Sequence, residues 1–235
     1  MARPPPALLR ILLSAGLLAA VGEAAAATDF QASCEGRQSS VTIDANDSGY
    51  RIDNSLSYRS LTQIKRPAAR DGYVLGMTRA ESRVTISVEG AILGDPETGM
   101  ECLQPQIGVS LSYLPIVVYV GSEFTPGTCA YREILAHEMR HLKAYVDYLP
   151  KVESRVREKL ADRFDTRPVV APQGQALARV QREMDERWMP VIKREMARAK
   201  ALQAGIDTPH EYARLSKICR GEVQSLIRST RRSSS

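Results

Sequence analysis

Residues 126–149 read PGTCAYREILAHEMRHLKAYVDYL, and the heart of the stretch is His137-Glu138-Met139-Arg140-His141. Two histidines four residues apart lie one turn apart on the same face of an α-helix. Imidazoles placed in this way can hold one tetrahedral zinc ion, with Glu138 between them as general base on water. The flanks favour a helix. Thr125 or Thr128 can cap its start, and Pro126 is tolerated in the first turn. Leu135, Met139, Leu142, Val146 and Leu149 form an apolar stripe at helical spacing beside the histidine face. Burying that stripe against a core would leave both rings at the edge of a cleft.

With these residues in view, the stretch resembles the zincin metallopeptidases. Val118-Tyr119-Val120, Glu123-Phe124 and Cys129-Ala130-Tyr131 ahead of the motif also resemble small bacterial secreted proteins predicted to be zinc-dependent proteases. The resemblance implies a zinc-dependent hydrolase acting on a protein or peptide substrate. It departs from one zincin pattern. Metzincins place a Gly three residues after the second histidine and a third ligand three residues further on, whereas this chain has Ala144 and Asp147. Ala continues the helix and turns Asp147 away from the histidine face. A gluzincin-like arrangement, with the third ligand on a later helix, is therefore expected.

Residues 1–27 read as a signal peptide. Arg3 and Arg10 precede a short apolar run, Ile11 to Val21, and Ala24 to Ala27 supply the small residues of a cleavage site. The run is short for a membrane span. The expected mature protein is secreted or periplasmic and keeps no stable membrane anchor. Removing Arg3, Arg10 and Glu23 lowers the formal charge from +5 to +4. The basic residues are spread among acidic ones without aromatic interleaving, which argues against nucleic-acid binding. About 208 residues remain, enough for one domain with its own core. Its expected parts are a β-rich 28–125, a helical 126–229 and a disordered polar tail at 230–235.

Cys34, Cys102, Cys129 and Cys219 in an exported chain read as two disulfides. If the chain turns back near Leu114-Pro115, Cys102 approaches Cys129 and leaves Cys34 for Cys219. If it runs straight, Cys34–Cys102 and Cys129–Cys219 are the natural pairs. A cysteine ligand to zinc is the functional alternative, although no CxxC spacing supports it. Strands are expected at 40–43, 50–58, 73–77, 83–88 and 107–120 in an antiparallel sheet, with turns at Asp47-Ser48-Gly49 and Glu97-Thr98-Gly99. Pro115 suits either an edge strand that pairs with an extended substrate or a bent core strand.

The helical half is expected to form an α+β fold with that sheet. Pro150 kinks the histidine helix without ending it, and the helix continues to Phe164. A break at 165–174 leads to a second helix, Gln175 to Ala204, with Pro190 inside it and Trp188 in the core. Thr208-Pro209-His210-Glu211 opens a third as a capping box, with a buried face running to Ile227. If the first two helices form a hairpin centred near residue 168, their common rise places His141 level with Glu195. Glu195 is then the expected third zinc ligand, ahead of His210 and of Asp147, Glu153 and Glu158. Tyr145, Tyr148, Tyr212 and His210 are candidates to stabilise an oxyanion. The competing function is a non-catalytic exported helical protein or interaction module in which the histidine motif is vestigial.

Overall fold

The computed structural model describes residues 29–36, 38–65, 72–165 and 168–232. The signal-peptide reading of residues 1–27 lies outside them. A helical segment at 29–35 leads into β1 (Ser40–Asn46), β2 (Tyr50–Asp53) and α1 (Tyr58–Lys65). Then come β3 (Gly76–Arg79), β4 (Ser82–Asp95), β5 (Met100–Tyr113) and β6 (Ile116–Val120). The second half holds α2 (Cys129–Phe164), β7 (Val169–Pro172), α3 (Ala176–Glu183), a π-turn at Met184–Trp188, α4 (Met189–Gln203), α5 (Pro209–Lys217) and α6 (Glu222–Arg232).

The sheets are mixed, which corrects the antiparallel expectation. β5 pairs antiparallel with β4 along its whole length, parallel with β1 and antiparallel with β7. β6 lies between β2, parallel, and β3, antiparallel. Two chain segments pass from one sheet to the other side by side. The Asp47-Ser48-Gly49 turn carries β1 into β2, and Leu114-Pro115 carries β5 into β6, so each pair lies parallel. Pro115 has no N–H to give a ladder and sits at this switch. It does bend the strand, but β5 and β6 are both interior strands, so the edge-strand reading of 107–120 is overturned. The expected strand at 50–58 stops at Asp53, whose side chain accepts from the backbone N–H of Ser55 and so turns the chain into α1.

α2 runs 36 residues with Pro150 inside it, and Thr128 is the cap, its side chain accepting from the Tyr131 N–H. Leu142, Leu149, Val152, Val156, Leu160 and Phe164 share one core with Leu103, Ile107, Val109 and Leu111 of β5. α3 and α4 pack beside α2 on the same core, against β4 and β5. Between α3 and α4 the backbone widens into a π-turn, with the Met189 N–H bonding the Met184 carbonyl. That extra residue per turn directly precedes Pro190, which has no N–H to give the helix, and takes up the kink a proline imposes inside a helix. Trp188 is buried against Phe164, with ring centroids 6.3 Å apart.

The disulfides are Cys34–Cys102 and Cys129–Cys219, the straight-running pairing. Sequence separations of 68 and 90 residues make each worth about 4–5 kcal/mol on loop-closure grounds. No described cysteine is free, so the cysteine-ligand alternative fails. The second disulfide also splits the expected third helix. Cys219 and Arg220 take positive φ, and the chain restarts as α6, which runs to Arg232 into the tail expected to be disordered. Among the described residues no helix is long and apolar enough to cross a membrane, and two disulfides are consistent with an extracellular location.

The break after α2 is organised by Glu101 of β5. Its buried carboxylate accepts from the Ala176 N–H at 2.6 Å and the Gly174 N–H at 2.8 Å, at the start of α3. These bonds, Ala176 first, hold its pKa below the ordinary carboxylate value. A depressed pKa means stability present above the unfolded pKa and lost as pH falls through the folded one. Glu101→Gln should therefore lower Tm most near neutral pH. The gap from wild type should close as the pH falls below the ordinary carboxylate range and through the depressed pKa of Glu101, as thermal melts across acid pH would show.

Candidate metal centre

His137 and His141 project from α2 into a cleft of about 960 Å³, together with Glu138. All three side chains are buried. His137 Nε2 and His141 Nε2 lie 3.1 Å apart. A carboxylate oxygen, Asp207 Oδ1, stands 3.2 Å from the first and 3.1 Å from the second. A tetrahedral zinc with N and O ligands at its usual bond lengths sets those atoms about 3.3 Å apart. The triangle therefore has the size that such an ion requires. Among the described residues, this is the one metal-sized group that contains histidine.

The outer nitrogens are held so that the inner ones face the triangle. Gln203 donates its Nε2 to the Ala199 carbonyl at 3.2 Å, which fixes the amide with Oε1 towards His141. His141 Nδ1 lies 2.6 Å from that oxygen and must donate to it, leaving the Nε2 lone pair for a cation. His137 Nδ1 meets Glu211 Oε1 at 3.3 Å, the carboxylate partner that metal-ligating histidines commonly have. Arg140 also reaches this nitrogen, at 2.9 Å, and bonds Glu211 closely. Arg140 can only donate, so in this arrangement Nδ1 accepts from it; with Nε2 on a metal, Nδ1 would instead carry a proton for Glu211 to accept, and Arg140 would keep its bond to Glu211 alone.

Asp207 sits in the tight turn between α4 and α5. Its N–H bonds the Gln203 carbonyl at 3.1 Å, so one turn fixes both groups that touch His141. Burial alone would raise its pKa, but bonds from His137 and His141 and the charge of Lys65 outweigh that and hold it well below the carboxylate range. Lys65 Nζ lies 3.3 Å from Oδ2. The turn is clamped from below. Arg214 of α5 bridges Glu211 and Glu133, and Cys129–Cys219 ties the following segment to the start of α2.

Glu138 completes the site. Burial raises its pKa, with the neighbouring histidines and Thr78 opposing that shift. The Thr78 hydroxyl lies 2.9 Å from its Oε2. β3 approaches so closely that a Cβ on Gly76 would stand 2.7 Å from Glu138 Cγ and 2.9 Å from its Oε1. A glycine is what lets this strand seat the carboxylate. Tyr145 and Tyr212 line the same cleft, and burial pushes the Tyr212 phenol up, with Asp207 adding to the shift.

The structure brings His137, Glu138, His141, Tyr145 and Tyr212 together and leaves the other sequence candidates elsewhere. Glu195, the expected third ligand, is buried in an ion cluster with Arg198 at 2.8 Å and Arg155 and Lys159 at 3.6 Å. The hairpin register explains the miss. β7 lengthens the connection after α2, and the π-turn adds to the return, so His141 meets Gln203 and Arg163 meets Glu183. Asp147 is exposed and paired with Lys143, and Glu153 pairs with Arg157. Glu158 and His210 are exposed, and Tyr148 bonds Arg155. Sequence reasoning missed Asp207, although its signal was present: an acidic residue directly before the capping box, in the short connector of a helix returning towards the motif. Compared with known proteins, the chain matches no family model, no curated protein and no solved structure.

Asp207→Ala should weaken zinc binding by more than the roughly 10–100-fold typical of losing an outer partner, which is the range expected for Glu211→Gln. Glu195→Ala should leave zinc affinity near wild type while lowering Tm. Titration against a competing chelator separates the three. Wild-type affinity in Asp207→Ala would remove that residue from the site.

Proposed function

We propose that this protein is a zinc-dependent hydrolase, in the broad manner of a gluzincin, which cleaves amide bonds of peptides or proteins outside the cytoplasm. The observation that carries the proposal is the triangle of His137 Nε2, His141 Nε2 and Asp207 Oδ1 beside the buried carboxylate of Glu138. Three protein ligands leave a fourth position open, which is the hallmark of a catalytic rather than a structural zinc site. When bound, zinc polarises a carbonyl and lowers the pKa of water.

The residues supply the rest. Glu138 takes the proton from the attacking water and returns it to the leaving amine. Its buried position favours that traffic, because burial raises the carboxyl pKa towards the working range. Thr78 orients the acceptor oxygen. Tyr212 and Tyr145 are the phenols in the cleft able to donate to a developing oxyanion, and their raised pKa values keep them protonated. Val74, Leu75, Met77, Ile134 and Leu215 give the cleft apolar walls suited to a side chain beside the scissile bond. β3 runs along this wall at the open end of its sheet, where an extended backbone can pair with it. This replaces the 107–120 segment as the substrate strand. A vestigial site would have little reason to keep Glu138 buried at the histidines.

Zinc-loaded Glu138→Gln should retain the metal and lose about 10²–10⁴ in turnover of a fluorogenic peptide pool. Gly76→Ala should behave alike, since the added methyl displaces Glu138 and none of the three ligands. Full turnover by Glu138→Gln would contradict the assigned role.

A further inference from the structure

β4 is 14 residues long and pairs with β5 on one side only. Among the described residues no strand covers its other side, whereas β5 is flanked by β4 on one side and by β1 and β7 on the other. Long open edges are normally shortened, bulged or interrupted by proline. Ser82 to Gly90, SRVTISVEG, carries neither proline nor lysine. Val84, Ile86 and Val88 point inward and pack on the core, while Arg83, Thr85, Ser87 and Glu89 are exposed on the outer face.

The segment is complementary to itself read backwards. About a two-fold axis at Ile86, Arg83 falls opposite Glu89 of a second copy, Val84 opposite Val88, and Thr85 opposite Ser87. Every such pair joins two odd or two even positions. Residues whose N–H and C=O point outward therefore meet residues whose groups also point outward, and the ladder closes. Faces match as well, since a charged residue meets its opposite outside and valine meets valine inside. Arg83 and Glu89 form no ion pair with another described residue, so both are available. β4 stays paired with β5 on to Asp95, and at Gly90 the two strands come so close that a Cβ would stand 2.1 Å from the Gln104 carbonyl.

We infer that the β4 edge is a dimer interface, in which residues 82–90 of two copies pair antiparallel about Ile86 and join two sheets into one. The axis stands perpendicular to the sheet and sets both helical layers on one side. The inference is independent of the hydrolase reading.

Sedimentation velocity on the disulfide-intact protein tests it. Wild type should show a reversible dimer across a concentration series. Arg83→Glu alone and Glu89→Arg alone each bring like charges together twice across the axis, and each should weaken dimerisation by about 10-fold. Combining them restores opposite charges and should restore the dimer. Hydrogen exchange on wild type adds a reading that no folding defect can confuse: amides at 82–90 should lose protection on dilution while those of β5 do not. A wild-type monomer at all soluble concentrations would overturn the inference, as would a dimer indifferent to both single reversals or one that the double variant fails to restore. An open-ended series of larger species would also overturn it and mark the edge as an aggregation site.

Discussion

Two imidazole nitrogens and a carboxylate oxygen are held within 3.2 Å of one another, and the molecule is arranged to keep them there. Without a metal, hydrogen bonds from the imidazoles to Asp207 hold the three together, and a cation among them would take the place of those protons. The fold holds the groups from both sides. α2 fixes the rings at one turn's separation and anchors itself in the core through Leu142, Leu149 and Val152. The opposing turn is fixed by Gln203, Lys65 and Arg214, and by the disulfide from Cys129 to Cys219. Only the first of these constraints is local in sequence.

That difference explains what could be read from the chain. His137, Glu138 and His141 belong to one helix, and a periodicity of 3.6 places them without further knowledge. A threonine cap at 125 or 128, the long run through Pro150 and the N-cap at Thr208 are equally local, and all were legible, although Glu211 gives its carboxylate to Arg140, His137 and Arg214 instead of closing the box on the Thr208 N–H. Asp207 had a local mark, an acidic residue just ahead of the Thr208 cap, but its place at the site depends on how far the second helix returns. That distance was altered by β7 and by the π-turn before Pro190, neither of which has a strong local signature. The same limit applied to the sheets. The strands at 40 and 107 were visible as strands, but nothing local says that the chain leaves both β1 and β5 for the same second sheet through adjacent turns. Parallel pairing followed from that crossing.

Gly76 shows how the β-rich half enters the chemistry. β3 has four residues, yet it supplies the contact surface of Glu138 and the hydroxyl of Thr78. A helix alone could present the two histidines. It could not keep a carboxylate buried beside them without a strand able to come within contact distance. The fold thus joins a binding constraint from α4 and α5 with a positioning constraint from β3, both acting on one turn of α2.

The central claim is the ligand set, and X-ray absorption at the zinc edge tests it most directly on protein loaded with one equivalent of zinc. The account predicts four nitrogen or oxygen neighbours at about 2.0–2.1 Å, with outer scattering from two imidazole rings and no sulfur. A sulfur neighbour, a six-oxygen shell or a signal lacking imidazole scattering would contradict it.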